Sequence, residues 1–382
     1  MSVEPRISKF LFAKAAKNRI PLSGTFEISP CCNLNCRMCY VRKSHKEVQE
    51  FGGEKTVEQW LEIARECRDA GMLFLLLTGG EPFLYKDFRR LYTELKKMGF
   101  MISINTNGTL IDEKVVEWLK KDPPYRMQIT LYGGSNETYE RLCRDKNGFD
   151  KTTKAIKLLK ESGISIKMNA SMTQYNIEDL DKIYEFAEAN NVYVQATSYM
   201  FPSTRKDEKF IGINDRFTAK EAARYSVKID KLRLGKEQFE ARASAMKEGL
   251  IKFKDESEDC EILSDQIENI GERERIKCRA GKSGFWINWK GEMTPCGMMN
   301  WPVAYPFKDG LVKAWNEIID ETEKIRMPKK CATCKNKNVC SVCAASVITE
   351  TGDYNIAPKY ICTMTDNIIK ETQREYDLML IK

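Results

Sequence analysis

Between residues 24 and 197 short apolar runs alternate with longer amphipathic ones. The short runs are 24–29 (GTFEIS), 72–78 (MLFLLLT), 101–105 (MISIN), 126–132 (RMQITLY), 164–170 (ISIKMNA) and 192–197 (VYVQAT). Their length and their branched and aromatic residues predict strands. The longer runs repeat apolar positions at helical spacing. TVEQWLEIARECRDAG opens on Thr56 as an N-cap and stops at Gly71, and FDKTTKAIKLLKESG stops at Gly163. Six strands, each followed by a helix, predict parallel βα units with right-handed crossovers. Only six units are visible, so the pattern supports a partial barrel or an open sheet and not a closed eight-fold barrel.

Past residue 200 the pattern changes. A polar loop, 201–210 (FPSTRKDEKF), leads into a long, highly charged helical stretch, 217–253. From Cys278 the cysteines concentrate, and FWINW and EMTPC flank Lys290-Gly291 as two strands around a hairpin turn. The chain therefore divides into 1–215, the βα series; 216–275, a helical connector; and 276–382, a smaller cysteine-rich domain containing a β-hairpin. No run approaches the roughly 18 apolar residues of a membrane span. The N-terminus lacks the continuous apolar region and cleavage site of a secretion signal, which predicts a cytoplasmic protein with no membrane partner.

Composition narrows the chemistry. A chain of 382 residues that is 42% hydrophobic and 31% charged suits an ordinary globular protein with a sizeable core. The net charge of +7 is spread along helices with matching Asp and Glu, which reads as solvated surface and predicts no nucleic-acid partner. Fourteen cysteines in a reducing compartment point to metal or redox chemistry, not to disulfides. The single histidine, His45, sits between lysines and reads as surface. Its isolation argues against His-rich zinc sites and against Ser-His or Cys-His catalysis.

Cys32, Cys36 and Cys39 form a CxxxCxxC set in the loop after the first strand, the end of the sheet where α/β proteins build their sites. Three thiolates at this spacing suit one face of an iron-sulfur cubane but leave one iron without a ligand. A zinc ion with a fourth, distant ligand is the alternative. Cys31 falls outside the set, because neighbours on an extended chain point to opposite sides. Together with Gly79, Gly80, Glu81 and Pro82 (GGEP) after the second strand, this arrangement resembles the radical S-adenosylmethionine (SAM) superfamily over residues 20–200.

The resemblance implies an α/β fold built as a partial (β/α)6 TIM-type barrel, in which Cys32, Cys36 and Cys39 hold three irons of a 4Fe-4S cluster. SAM would chelate the fourth iron. Glu81 would hold the methionine ammonium, with Gly79 and Gly80 letting the backbone approach the ligand and Pro82 opening the next helix. Thr130 and either Arg141 or Arg144 would hold the methionine carboxylate. TNGT (106–109) also matches the superfamily. Met38 stands where the superfamily commonly carries an aromatic residue and would cover the adenine with apolar surface, while Tyr40 would point elsewhere.

The later cysteines resemble the SPASM domain, with Gly291 and Cys296 in its Gly-x-x-x-x-Cys step. By that resemblance Cys278, Cys296 and Cys343 hold one auxiliary 4Fe-4S cluster, and Cys331, Cys334, Cys340 and Cys362 hold another, making three clusters. Cys340 and Cys343 are separated by two residues where the pattern usually has three. Either Cys260 or the substrate would complete the first auxiliary cluster, and a zinc ribbon built on the CxxC pairs is the alternative. Cys67 and Cys143 read as incidental buried thiols.

The implied activity is reductive cleavage of SAM to a 5′-deoxyadenosyl radical, followed by oxidative modification of a peptide or protein side chain. A peptide maturase forming a thioether or carbon cross-link is the leading expectation, with flavodoxin or ferredoxin supplying electrons. About 25 residues precede the first strand, too few for the winged-helix domain with which many such maturases grip a leader peptide. An anaerobic sulfatase maturase is second, although those enzymes place an aspartate directly after the hairpin cysteine, where this chain has Gly297. A small-molecule dehydrogenase or epimerase is third. A non-enzymatic zinc or electron-transfer module would explain the cysteines but not GGEP in register.

Overall fold

The computed structural model describes residues 7–212, 215–247 and 275–381. Ile7–Lys17 form α1, a helix that the sequence pattern did not announce. Its Phe12 and Ala15 close a small satellite core with Leu22. The six expected strands follow as β1 (Ser23–Ser29), β2 (Phe74–Gly79), β3 (Met101–Thr106), β4 (Arg126–Thr130), β5 (Ile166–Ser171) and β6 (Val194–Thr197). Each pairs in parallel with the next.

Helices fill the crossovers. After β1 come α2 (His45–Glu50) and α3 (Val57–Asp69), after β2 α4 (Phe88–Lys97), and after β3 α5 (Glu113–Leu119). After β4 come α6 (Asn136–Cys143) and α7 (Gly148–Glu161), and after β5 α8 (Leu180–Ala189). The expected signals act as predicted. Thr56 caps α3 in a reciprocal capping box with Gln59, and Gly71 and Gly163 take left-handed φ values of 95° and 77° just past α3 and α7.

The strands alternate sharply. Leu75, Leu77, Ile102, Ile104, Met127, Ile129, Met168 and Ala170 share one buried core with Trp60, Leu61, Leu91 and Leu95 of α3 and α4. Each large apolar side chain buried this way contributes about 1.5–3 kcal/mol. Ser103, Asn105, Gln128, Thr130, Lys167 and Asn169 alternate with them and stay half-buried, so the other face of the sheet is polar and available for a site.

The hairpin forms as expected from β7 (Gly284–Ile287) and β8 (Met293–Thr294). Its setting was not legible in the sequence: β7 pairs in parallel with β1, Ser23 opposite Gly284 and Phe26 opposite Ile287. The sheet thus has eight strands in the order β6-β5-β4-β3-β2-β1-β7-β8, and among the described residues its ends do not pair, so the barrel is open. The charged stretch after β6 forms α9 (Ala219–Lys247), broken at Gly235 (φ 72°, ψ 177°).

The chain continues through α10 (Pro306–Asp309), α11 (Leu311–Thr322), α12 (Lys329–Ala332), α13 (Ala344–Thr351) and α14 (Lys359–Leu380). α14 lies along α9, with Lys231 bonded to Glu375 at 2.5 Å. A second, smaller core of Ile276, Met299, Ile325, Met327, Ala344, Ala345 and Val347 carries Cys278, Cys296 and Cys343 on its border. No helix among the described residues is long and apolar enough to cross a membrane.

Candidate active site

The loop leaving β1 returns on itself, Lys43 N–H donating to the Pro30 carbonyl at 3.1 Å and Cys39 N–H to the Cys36 carbonyl at 3.1 Å. Within it the Cys32 sulfur accepts from Leu34 N–H (3.4 Å) and Asn107 Nδ2 (3.7 Å), and the Cys39 sulfur from Arg42 N–H (3.3 Å). The three thiols lie in one another's electrostatic field. Burial pushes the Cys32 thiol up to about 12 and raises Cys39 as well. Cys36 is held below the usual thiol range by a hydrogen bond from Cys143. An all-sulfur donor set with N–H groups already aimed at two of its members fits an iron-sulfur cluster, whose positive irons would offset the cost of buried thiolates.

Cys31 stands apart, as expected, buried against Val48 and Trp289. His45 is exposed at the start of α2, yet its Nδ1 lies 3.4 Å from the Cys31 sulfur, a pairing the isolated histidine did not suggest. Met38 is buried in the main core. Tyr40 packs beneath Arg205, 5.4 Å from its guanidinium, and burial holds its hydroxyl far above the ordinary range.

GGEP has a different geometry from the expected one. Gly80 N–H donates to the Ser29 carbonyl at 2.7 Å and Glu81 N–H to the Cys31 carbonyl at 2.8 Å. A Cβ at Gly79 would stand 2.2 Å from the Ser29 oxygen, and one at Gly80 2.3 Å from the Cys31 oxygen. The room left by the missing side chains is therefore taken by the cysteine loop's own backbone, and the two glycines lock that loop to the end of β2. Pro82 opens the short 3-10 turn Pro82–Leu84.

The Glu81 carboxylate is fully buried and accepts from Thr106 Oγ1 (2.8 and 2.9 Å), Asn107 N–H (2.8 Å) and Phe83 N–H (3.2 Å). It ties TNGT to the GGEP turn, which gives both motifs one purpose. Burial outweighs these bonds and lifts its carboxyl from 4.5 to about 7. Because the folded value is raised, the stability it contributes is present below about 4.5 and is lost as pH rises through about 7. In Glu81→Gln, urea unfolding at about pH 5 and about pH 8 should differ less than in the wild type; an unchanged difference would remove Glu81 as the titrating group.

Thr130 ends β4, half-buried and in register with Asn169 of β5. Arg141 is committed elsewhere: it bonds the Glu178 carboxylate and donates to the Tyr175 carbonyl at 2.9 and 2.7 Å. Arg144 is exposed and caps α6 in the left-handed region (φ 63°).

The C-terminal thiols fall into two neighbourhoods. Cys296, at the hairpin's end, lies in the field of Cys278 and Cys343, and burial pushes it up to about 12. Cys343 caps α13, its sulfur accepting from Ser346 N–H at 3.4 Å. Cys362, in the first turn of α14, feels Cys340 and Cys334, and Cys340 accepts from Thr365 Oγ1 at 3.4 Å. Cys331 sits on α12, where its carbonyl accepts from Cys334 N–H at 3.3 Å. Among the described residues no three His, Cys, Asp or Glu side chains close on a single point, so the thiols share neighbourhoods and do not converge around one ion. Cys260 lies outside the described residues.

Glu27, Arg205 and Trp286 are functional candidates that the sequence pattern did not single out. Glu27 is fully buried in β1 and accepts from Arg205 Nη2 (2.8 Å) and Trp286 Nε1 (3.2 Å). The one available signal was a carboxylate between Phe26 and Ile28 of β1. Arg205 sits over both Tyr40 and Trp286, and its charge reaches Cys296. Beside it opens a cavity of about 260 Å³ lined by Lys206, Trp286, Asn288, Thr294 and Asn300. A Cβ at Gly297 would stand 2.6 Å from the Trp286 ring, so nothing larger fits directly after Cys296.

Residues 26–187 match the family model of the Radical SAM superfamily. An AdoMet-dependent heme synthase of Methanosarcina barkeri is 24% identical over 354 residues, covering 89% of this chain and 95% of that one. The PqqA peptide cyclase of Granulibacter bethesdensis is 30% identical over 169 residues, 44% of each chain. Among solved structures, Streptococcus suis SuiB bound to precursor peptide SuiA superimposes with a TM-score of 0.65 at 22% identity, over 92% of this chain and 78% of that one. That likeness is one of fold.

Proposed function

Residues 26–187 form a radical SAM domain, and from that premise we propose that the protein oxidatively modifies a peptide or protein side chain. Cys32, Cys36 and Cys39 would hold the SAM-binding 4Fe-4S cluster, which supplies the electron that splits SAM into methionine and a 5′-deoxyadenosyl radical. The chain's own residues do the rest. Gly79, Gly80 and Glu81 keep the cysteine loop against β2. Thr130 and either Arg141, which is bonded at the surface to Glu178, or Arg144 would receive the methionine carboxylate. Cys278, Cys296 and Cys343, and Cys331, Cys334, Cys340 and Cys362, would hold two auxiliary clusters, with flavodoxin or ferredoxin as reductant.

The observation that carries the reading is the juxtaposition across Arg205: Tyr40, next to Cys39, on one side and Cys296 on the other, with the polar cavity beside them. A substrate in that cavity would lie against Arg205, whose guanidinium covers Tyr40 beside Cys39 and whose charge reaches Cys296. The likeness to PqqA peptide cyclase supports a peptide as that substrate. The crowding of Gly297 against Trp286 speaks against an aspartate-dependent sulfatase maturase. A second reading, a small molecule of the heme pathway, is favoured by the near full-length likeness to the heme synthase.

The test is to incubate the anaerobically reconstituted protein, SAM and dithionite with short peptides encoded beside its gene and, separately, with heme precursors. A peptide that loses two hydrogen atoms as 5′-deoxyadenosine forms supports the proposal. Conversion of a heme precursor with all peptides intact would overturn it in favour of the second reading.

A further inference from the structure

Asn107 follows β3 as the second residue of TNGT, and the fold brings it to Cys32, 75 positions earlier in the chain. Its backbone is held on both sides, the N–H donating to the Glu81 carboxylate at 2.8 Å and the carbonyl accepting from Thr152 Oγ1 at 3.0 Å. The residue is buried, with 5% of its surface exposed. Its Oδ1 accepts from Thr109 N–H at 2.8 Å and from Thr109 Oγ1 at 2.6 Å. Its Nδ2 donates to Asn33 Oδ1 at 3.0 Å and to the Cys32 sulfur at 3.7 Å.

These partners leave the amide one orientation. Its oxygen only accepts, and its nitrogen only donates, through two hydrogens. A backbone N–H is always a donor, so the end that faces Thr109 N–H is the oxygen and the end that faces Cys32 is the nitrogen. Asn33 closes a ring of three side chains: its own Nδ2 donates to Thr109 Oγ1 at 2.7 Å, which donates onward to Asn107 Oδ1. Leu34 N–H on Cys32 and Arg42 N–H on Cys39 are backbone donors from the cysteine loop itself. Asn107 reaches Cys32 from outside that loop, through a side chain that substitution can remove.

We propose that Asn107 is a positioning residue for the SAM-binding cluster: its amide donates a hydrogen bond to the Cys32 sulfur, fixes that ligand against the end of β3 and raises the cluster's reduction potential. The inference rests on the reading above that Cys32, Cys36 and Cys39 hold the cluster. A donor to a ligating thiolate draws electron density from the sulfur and so favours the more negatively charged, reduced cluster. GGEP and TNGT then act together at one sulfur, Glu81 holding the Asn107 backbone and Thr109 turning its amide.

The experiment uses the full chain, reconstituted anaerobically, as wild type, Asn107→Ala, Asn107→Asp and Thr109→Val. Iron per chain is measured, and the reduced cluster is followed by EPR at poised potentials through the signal component that changes on adding SAM. Asn107→Ala should keep its iron, while at the potential where the wild type is half reduced its ratio of reduced to oxidised cluster falls about fivefold, the equivalent of one ordinary hydrogen bond. Asn107→Asp has nearly the same shape and keeps an oxygen for Thr109, but it sets an acceptor against the sulfur, so its ratio should fall further than that of Asn107→Ala. Thr109→Val loses one hydroxyl and keeps the backbone N–H that orients the amide, so its ratio should stay within about twofold of the wild type.

An unchanged ratio in Asn107→Ala with iron intact would overturn the inference. So would a wild-type ratio in Asn107→Asp, since shape alone would then account for the residue, and so would an equal fall in Thr109→Val, which would assign the effect to the packing of the turn. If Asn107→Ala does not fold or does not hold iron, Asn107→Asp decides. A wild type with no SAM-responsive signal would remove the functional reading and this inference together, whereas unchanged ratios remove only the inference.

Discussion

Replacing Cys32, Cys36 and Cys39 together with alanine is expected to abolish formation of 5′-deoxyadenosine from SAM under dithionite. The three side chains are the ones proposed to hold the cluster, and the other groups of the loop after β1 are engaged elsewhere. Cys31 faces Val48, Trp289 and His45, and Glu81 is bonded to Thr106 and the backbone amides of Asn107 and Phe83. None of these substitutes for a thiolate. With two auxiliary clusters on the C-terminal thiols, as proposed, the variant should lose about a third of the wild-type iron and keep the remainder. Retained cleavage would refute the assignment of these cysteines, and loss of all the iron would show that the neighbourhoods do not load independently.

Glu350→Ala is expected to cost about 3–5 kcal/mol, the usual penalty for stranding one member of a buried ion pair. Arg216 bonds Glu350 through both nitrogens, at 2.6 and 2.8 Å, and the two side chains are only 5% and 4% exposed. The Tyr199 hydroxyl donates to the same carboxylate at 2.9 Å, Arg216 also donates to the Met200 carbonyl at 2.8 Å, and its guanidinium lies 3.8 Å over the Tyr360 ring. The pair therefore joins the segment after β6 to α14 and to α13, the helix that Cys343 caps. The midpoint of denaturant unfolding reads the loss. An apolar pair, Arg216→Met with Glu350→Leu, should regain most of it, because no charge is then left buried alone. A cost below about 1 kcal/mol for Glu350→Ala would mean that water reaches the guanidinium.

These two sites differ in how they could be found. The thiols of the first loop announce themselves by spacing, Cys32, Cys36 and Cys39 falling close together along the chain. Arg216 and Glu350 are 134 positions apart and look like any other charges in a chain that has many. The same holds for Glu27, which meets Arg205 at a separation of 178 residues and Trp286 at 259. GGEP was legible as a motif, but its geometry was not. That its glycines make room for the Ser29 and Cys31 carbonyls, and that its glutamate fastens TNGT, depends on how β1, β2 and β3 stand side by side.

What the sequence determined by itself is what local physics controls. Period-two and period-3.6 patterns set six strands and their helices, Thr56 and the left-handed glycines set helix ends, and cysteine spacing set the chemistry of the first loop. Tertiary structure alone decided that β7 would extend the sheet along β1, that Arg205 would cover Tyr40 and bond Glu27, that Arg141 would pair with Glu178, and that the end of α6 would be tied to the residues flanking Cys36. Each of these joins residues distant in the chain, whose meeting is fixed by burying one shared core and not by any property of the residues that meet.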